Sequence, residues 1–177
     1  MGQTPTGSRL LPHRTAHPCR KIVFFIASHD QGWGGRQKGS YESSNTWFDA
    51  EILPSTLEEW PENEVAATHS TSPPKKRSFN PGGAHLLSTE NKLQSNKTAE
   101  KETQRYTITW HHLDNIDPTT PEAEEIERCQ GRGRATLDGR RVRQIGLGDS
   151  VSVIARARFG GWTNHIDQLS VRVFWAV

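Results

Sequence analysis

Apolar and polar residues alternate with a period of two over four stretches of the chain and a fifth is a short apolar run, and these patterns predict β-strands. Residues 21–28 (Lys-Ile-Val-Phe-Phe-Ile-Ala-Ser) are rich in β-formers and apolar on both faces, which suits a central strand covered on both sides or a strand at a closed edge. In residues 45–52, Thr46, Phe48, Ala50 and Ile52 fall on one face, while Asn45, Trp47, Asp49 and Glu51 fall on the other. Tyr106, Ile108 and Trp110 share a face in residues 106–112. After a turn at Leu147-Gly148-Asp149, Val151, Val153, Ala155 and Ala157 alternate with Ser152, Ile154, Arg156 and Arg158. The last stretch places Leu169, Val171, Val173, Trp175 and Val177 toward a core. Weaker strand signals lie near residues 133–142.

Between these stretches the period changes or disappears. Residues 120–128 predict one short helix, with Thr120 as cap, Pro121 in the first turn and acids toward the positive end of the dipole. Residues 1–19 carry no apolar period and are expected to form a flexible arm. Residues 54–103 fill with Pro, Ser, Thr, Asn, Glu and Lys, which predicts a long disordered insertion. The expected fold is mainly β: an antiparallel β-sandwich or jelly roll, galactose-binding-like, formed by 20–53 and 104–177 as one domain.

Composition fits a modest core diluted by irregular chain, since only 32% of the 177 residues are hydrophobic. The net charge of +2 comes from acids and bases scattered along the sequence, so nothing in it demands nucleic acid or an anionic membrane; the expected partner is neither a membrane nor a nucleic acid. No apolar run approaches the roughly 20 residues of a membrane helix, and residues 1–19 lack the apolar stretch of a signal peptide. A cytoplasmic location with Cys19 and Cys129 as free thiols is the resulting expectation. Lys75, Lys76 and Arg77 resemble a short nuclear import signal, and Asn96-Lys97-Thr98 spells a glycosylation acceptor.

Candidate chemistry gathers in three tryptophan blocks at strand ends, where loops of β-proteins carry binding groups. Ser28-His29-Asp30-Gln31-Gly32-Trp33 offers His29 and Asp30 as an acid–base pair, without a nucleophile motif beside them. The same block also suits a plain loop, with Gly32 at positive φ and Trp33 plugging the end of the fold. Arg156 and Arg158 project from one face toward Trp162 and Asn164, a pattern suited to anion pairing and ring stacking. Pairing with Asp49 and Glu51 across a sheet is the commoner outcome for arginines so placed. With Trp33 and Trp47, these residues make the candidate ligand site: Trp33, Trp47, Arg156, Arg158, Trp162 and Asn164.

Metal and cofactor sites are not expected. His111 and His112 are adjacent in a strand and point to opposite faces, and no metal-ligand spacing occurs, although His29, His112 and His165 are free to converge in space. The cations of residues 128–143 surround Gly131 and Gly133, but the glycines follow the helix rather than precede it, so a phosphate-cradling loop is excluded.

Taken in order, the Ser-His-Asp-Gln-Gly-Trp loop, the Thr46-Trp47-Phe48 strand, the Trp110-His111 strand, the Gly148-Asp149 turn and the Ala155-Arg156-Ala157-Arg158-Phe159-Gly160-Gly161-Trp162-Thr163-Asn164 element resemble a group of largely uncharacterised proteins of filamentous fungi. The resemblance covers most of the expected ordered residues and implies a cytosolic β-sandwich domain. It brings no activity, ligand or catalytic residue. The insertion at 54–103 departs from it.

Three functions compete. One is a non-enzymatic domain that binds a small molecule, glycan or protein at the tryptophan blocks. Another is an enzyme or accessory protein of fungal small-molecule (secondary) metabolism built on His29 and Asp30. The third is an interaction module acting through the insertion.

Overall fold

In the computed structural model, which describes residues 17–34, 37–55 and 90–176, all five stretches expected as strands are strands. The element order is β1 (Cys19–His29), β2 (Thr46–Leu53), β3 (Lys92–Ser95), β4 (Gln104–His111), α1 (Pro121–Gln130), α2 (Arg140–Gln144), β5 (Ser150–Ala157) and β6 (His165–Trp175). Two small antiparallel sheets result, ordered β4-β1-β6 and β3-β2-β5.

Strand β1 is central in its sheet, as its two apolar faces require. Ile22, Phe24 and Ile26 enter a core shared with Ile108 and Trp110 of β4, Phe48 and Ala50 of β2, and Leu93 of β3. That one cluster therefore joins both sheets. Thr46, Phe48 and Ala50 are fully buried on the face the alternation assigns to them. On β6, Val171 and Val173 pack against the core. Leu169 and Trp175, expected there too, remain 39% and 42% exposed. β6 lies at the edge of its sheet, with no further strand beside it among the described residues. Val177 lies outside the described residues.

Two expectations need correction. The insertion ends earlier than residue 103, because Lys92–Ser95 forms β3 against β2 and buries Leu93 completely. Residues 56–89, which include Lys75, Lys76 and Arg77, lie outside the described residues, as does the expected arm up to residue 16. The weak strand signals near 133–142 resolve instead into a 3-10 turn at Arg134–Thr136 and the short helix α2. The reason is local: Gly133 crosses β3 so closely that a Cβ there would sit 1.8 Å from the Lys92 carbonyl oxygen. Its N–H donates to the Leu93 carbonyl, and the chain then turns away from the sheet.

Helix α1 begins as predicted: Thr120 Oγ1 accepts from the Ala123 N–H, and Pro121 occupies the first turn. It runs ten residues, longer than expected, and stops at Gly131 in the left-handed conformation (φ 70°). A Lys92–Glu127 ion pair at 2.7 Å ties it to β3. The turn before β5 is held by Asp149, whose carboxylate accepts from the N–H groups of Gly146 and Ser55. Those bonds hold its carboxyl below the ordinary carboxylate range. Among the described residues, no helix is long and apolar enough to cross a membrane.

Candidate functional site

The three tryptophan blocks meet at one end of the two sheets, and there they separate into an exposed layer and a buried one. The exposed layer consists of rings. Trp33 and Trp162 lie with centroids 5.4 Å apart, and Phe159 meets Trp162 edge-on, also at 5.4 Å. The Arg158 guanidinium sits 5.1 Å from the centre of the Phe159 ring. Trp33 is 56% exposed and Phe159 50%, so Trp33 does not plug the end of the fold.

Backbone geometry delivers these rings. Gly32 and Gly34 both adopt positive φ, which turns the chain out of β1 without the penalty a Cβ would incur. At Gly34 a Cβ would lie 3.1 Å from the Trp162 ring, so glycine also makes room for the tryptophan pair. Gln31 steadies the turn by donating its Nε2 to the Trp33 carbonyl at 2.8 Å. Gly161, at φ 87°, reverses the chain between Phe159 and Trp162.

Beneath the rings lies a hydrogen-bonded layer. Asp30 is 1% exposed, and its two carboxylate oxygens accept from Thr46 Oγ1 (3.2 Å) and from the Ala99 N–H (2.8 Å). Asn96, fully buried, accepts from Ser28 Oγ and donates to Thr46 Oγ1 and to Asn164 Oδ1. Asn164 in turn donates to the Trp47 carbonyl at 2.8 Å. Trp47, 8% exposed, gives its indole N–H to Asp49, and Arg156 gives its Nε–H to the other oxygen of that carboxylate at 2.8 Å. A buried carboxylate with both oxygens used is a structural device of high local cost if disturbed.

The six residues chosen from sequence thus divide. Trp33, Arg158 and Trp162 reach the surface together, and Phe159 joins them. Trp47, Arg156 and Asn164 lie below, with their polar groups committed to the protein. Phe159 was legible only as the residue between Arg158 and the glycine pair. The Arg156–Asp49 pairing is the cross-strand contact that alternation allowed, with Asp49 facing Ile154 two places along from the Trp47–Arg156 pair.

His29 and Asp30 do not form a carboxylate–imidazole pair. His29 Nδ1 donates to the Asp30 main-chain carbonyl at 2.7 Å, and its ring stacks on His165 with centroids 4.5 Å apart. His112 lies toward the other end of β1, donating Nδ1 to the Arg20 carbonyl, so the three histidines do not converge. Among the described residues, no group of three or more His, Cys, Asp or Glu could hold a metal ion. Asn96 is fully buried, which removes the glycosylation spelling from the surface.

The cationic run of residues 128–143 is spent internally. Arg128 pairs with Glu125, Arg134 with Glu127, and Arg132 donates to the Thr109 carbonyl. Arg141 donates to the Ala50 carbonyl and to Asn91, while Arg143 holds the carbonyls of His112 and Asp138. Burial pushes the Arg132 and Arg141 guanidiniums below their ordinary range, as expected for cations working inside the fold. Cys19 is buried and Cys129 exposed, both as free thiols. No protein-family model, curated protein or solved structure matches this chain.

Proposed function

We propose that the chain is a non-enzymatic binding module, a jelly-roll-like β-sandwich that takes a small molecule, glycan or partner protein on the ring cluster at one end. Trp33, Phe159 and Trp162 supply flat apolar faces, and Arg158 supplies a charged rim. The observation that carries this reading is the exposure of Trp33 and Phe159 beside Trp162, because large aromatic surface left in water is costly without a use. Rings of this kind stack on the apolar face of a sugar or on proline, while the arginine fixes a polar group at the edge.

The layer below supports the same reading. Asn164, Trp47, Asp49 and Arg156 hold the strand ends from which the loops spring, so the rings rest on a rigid base. The test is a glycan and metabolite screen by thermal shift and calorimetry on the wild type, Trp33→Ala and Trp162→Ala. A ligand that binds the wild type and is lost from both variants is expected. No binder, or equal binding by the variants, overturns the reading.

A further inference from the structure

The outer face of the β4-β1-β6 sheet is assembled by strand register from residues far apart in sequence. Arg105 of β4 lies opposite Ala27 of β1, and Thr107 opposite Phe25. On the other side, Ser170 of β6 lies opposite Phe25, and Arg172 opposite Val23. Residues paired across an antiparallel ladder share a face. Phe25 is therefore flanked by hydroxyls and, diagonally, by two arginines. These residues line a shallow cavity of about 280 Å³.

The two arginines differ from those of the 128–143 run. Among the described residues, the side chains of Arg105 and Arg172 form neither an ion pair nor a hydrogen bond. Arg172 lies over the Phe25 ring at 5.2 Å. Farther along the same face, Lys21 stands 4.4 Å from the centre of the Phe174 ring. At the opposite end, Asp167 takes the Thr103 hydroxyl. The face thus carries unneutralised cations beside aromatic rings, with an acid at one end of the track.

We infer that this face binds single-stranded nucleic acid, with phosphates at Arg105 and Arg172 and a base stacked over Phe25. Spacing favours an extended polyanion over a single small anion. The two arginines are offset by four residues along β1, about 13 Å, and by two strand spacings across it, about 10 Å. One phosphate or carboxylate cannot bridge that distance. The stacking surface favours bases over acidic side chains, since a phenyl ring beside a guanidinium plane offers nothing specific to a carboxylate chain. Thr107, Ser170 and Gln168 add hydrogen-bonding groups for base edges or sugar hydroxyls. This surface is separate from the ring cluster and does not depend on it.

The test is fluorescence anisotropy of the full chain with a labelled oligo-uridine about eight nucleotides long, titrated at several salt concentrations. The wild type is expected to bind, with affinity falling as salt rises. Arg105→Gln and Arg172→Gln are each expected to weaken binding about tenfold and to reduce the salt slope by about 0.7. Both arginines are exposed, so circular dichroism should stay unchanged. Phe25→Leu keeps an apolar residue and is expected to weaken binding at least as much through lost stacking. Trp162→Ala is expected to bind normally. Absence of binding, indifference to both arginine substitutions, or equal binding of polyglutamate overturns the inference. Equal displacement of the oligonucleotide by free uridine monophosphate, nucleotide for nucleotide, overturns it as well.

Discussion

Trp33 and Trp47 belong to neighbouring blocks of the same kind and end up at the same end of the fold, yet Trp33 is 56% exposed and Trp47 only 8%. The difference lies in what each indole touches. Trp47 leaves a strand and finds Asp49 two residues on, so its N–H has an acceptor and its ring can be buried. Trp33 leaves a glycine turn, meets the ring of Trp162, and stays in water. The same comparison holds for the two layers as wholes. The lower one is closed by polar bonds that would be expensive to break, whereas the upper one has apolar faces with nothing committed to them. A tryptophan in a polar block is therefore ambiguous by itself, and its hydrogen-bond partner resolves it.

The comparison breaks most visibly at Asp30. Asp30→Ala leaves the Ala99 N–H buried without an acceptor and takes one partner from Thr46. The expected loss of stability is about 3 kcal/mol, since each buried orphan costs about 1–3 kcal/mol and bonds to a charged group lie at the upper end. Asp30→Asn should fall between, because one oxygen still accepts from Thr46 while an amide N–H₂ now faces the Ala99 donor. Urea unfolding measures both. A loss under about 1 kcal/mol for the alanine variant would mean the carboxylate is not holding the layer together. It would also restore the reading of Asp30 as a functional group next to His29.

Asp49 tests the same layer nearer its margin. Asp49→Ala removes the acceptor of Trp47 and the partner of Arg156. The side chain of Arg156 is 24% exposed, so water recovers part of its loss. About 2 kcal/mol is expected, below the effect at Asp30. A double-mutant cycle with Arg156→Gln should return a coupling of about 1 kcal/mol. Additive losses would show that the pair merely coincides in space and that Arg156 is available to a ligand.

Much of this architecture is written locally. The alternation in residues 45–52 predicts the buried Thr46, Phe48 and Ala50, and Thr120-Pro121 predicts the start of α1. Strand β3 was not legible because Lys-Leu-Gln-Ser holds one apolar residue, and its identity comes from pairing with β2 rather than from its own pattern. Gly133 looked like part of a weak strand because a close backbone crossing leaves no mark except the glycine itself. The candidate site was legible as blocks but not as layers: nothing near Asn164 announces that Asn96, 68 residues away, will bond it. Charge was the least legible feature. The obvious cationic run is taken up by partners within the chain, while Arg105 and Arg172, unremarkable in sequence, are brought to one face by β1.

On the exposed side the effect of a substitution is expected to be the smallest. Trp33 gives up little water on folding and its contact is another partly wet ring, so Trp33→Ala should change stability by about 0.5 kcal/mol or less. The edge contact of Phe159 with Trp162 does not involve Trp33 and should persist. Tryptophan fluorescence during urea unfolding can follow this, because the five other tryptophans of the chain still report the transition. An unfolding midpoint close to the wild type, together with loss of any ligand found in the screen, separates surface from scaffold. A fall of 2 kcal/mol or more, comparable to Asp49→Ala, would place Trp33 in the scaffold and leave the ring cluster without a free face to offer.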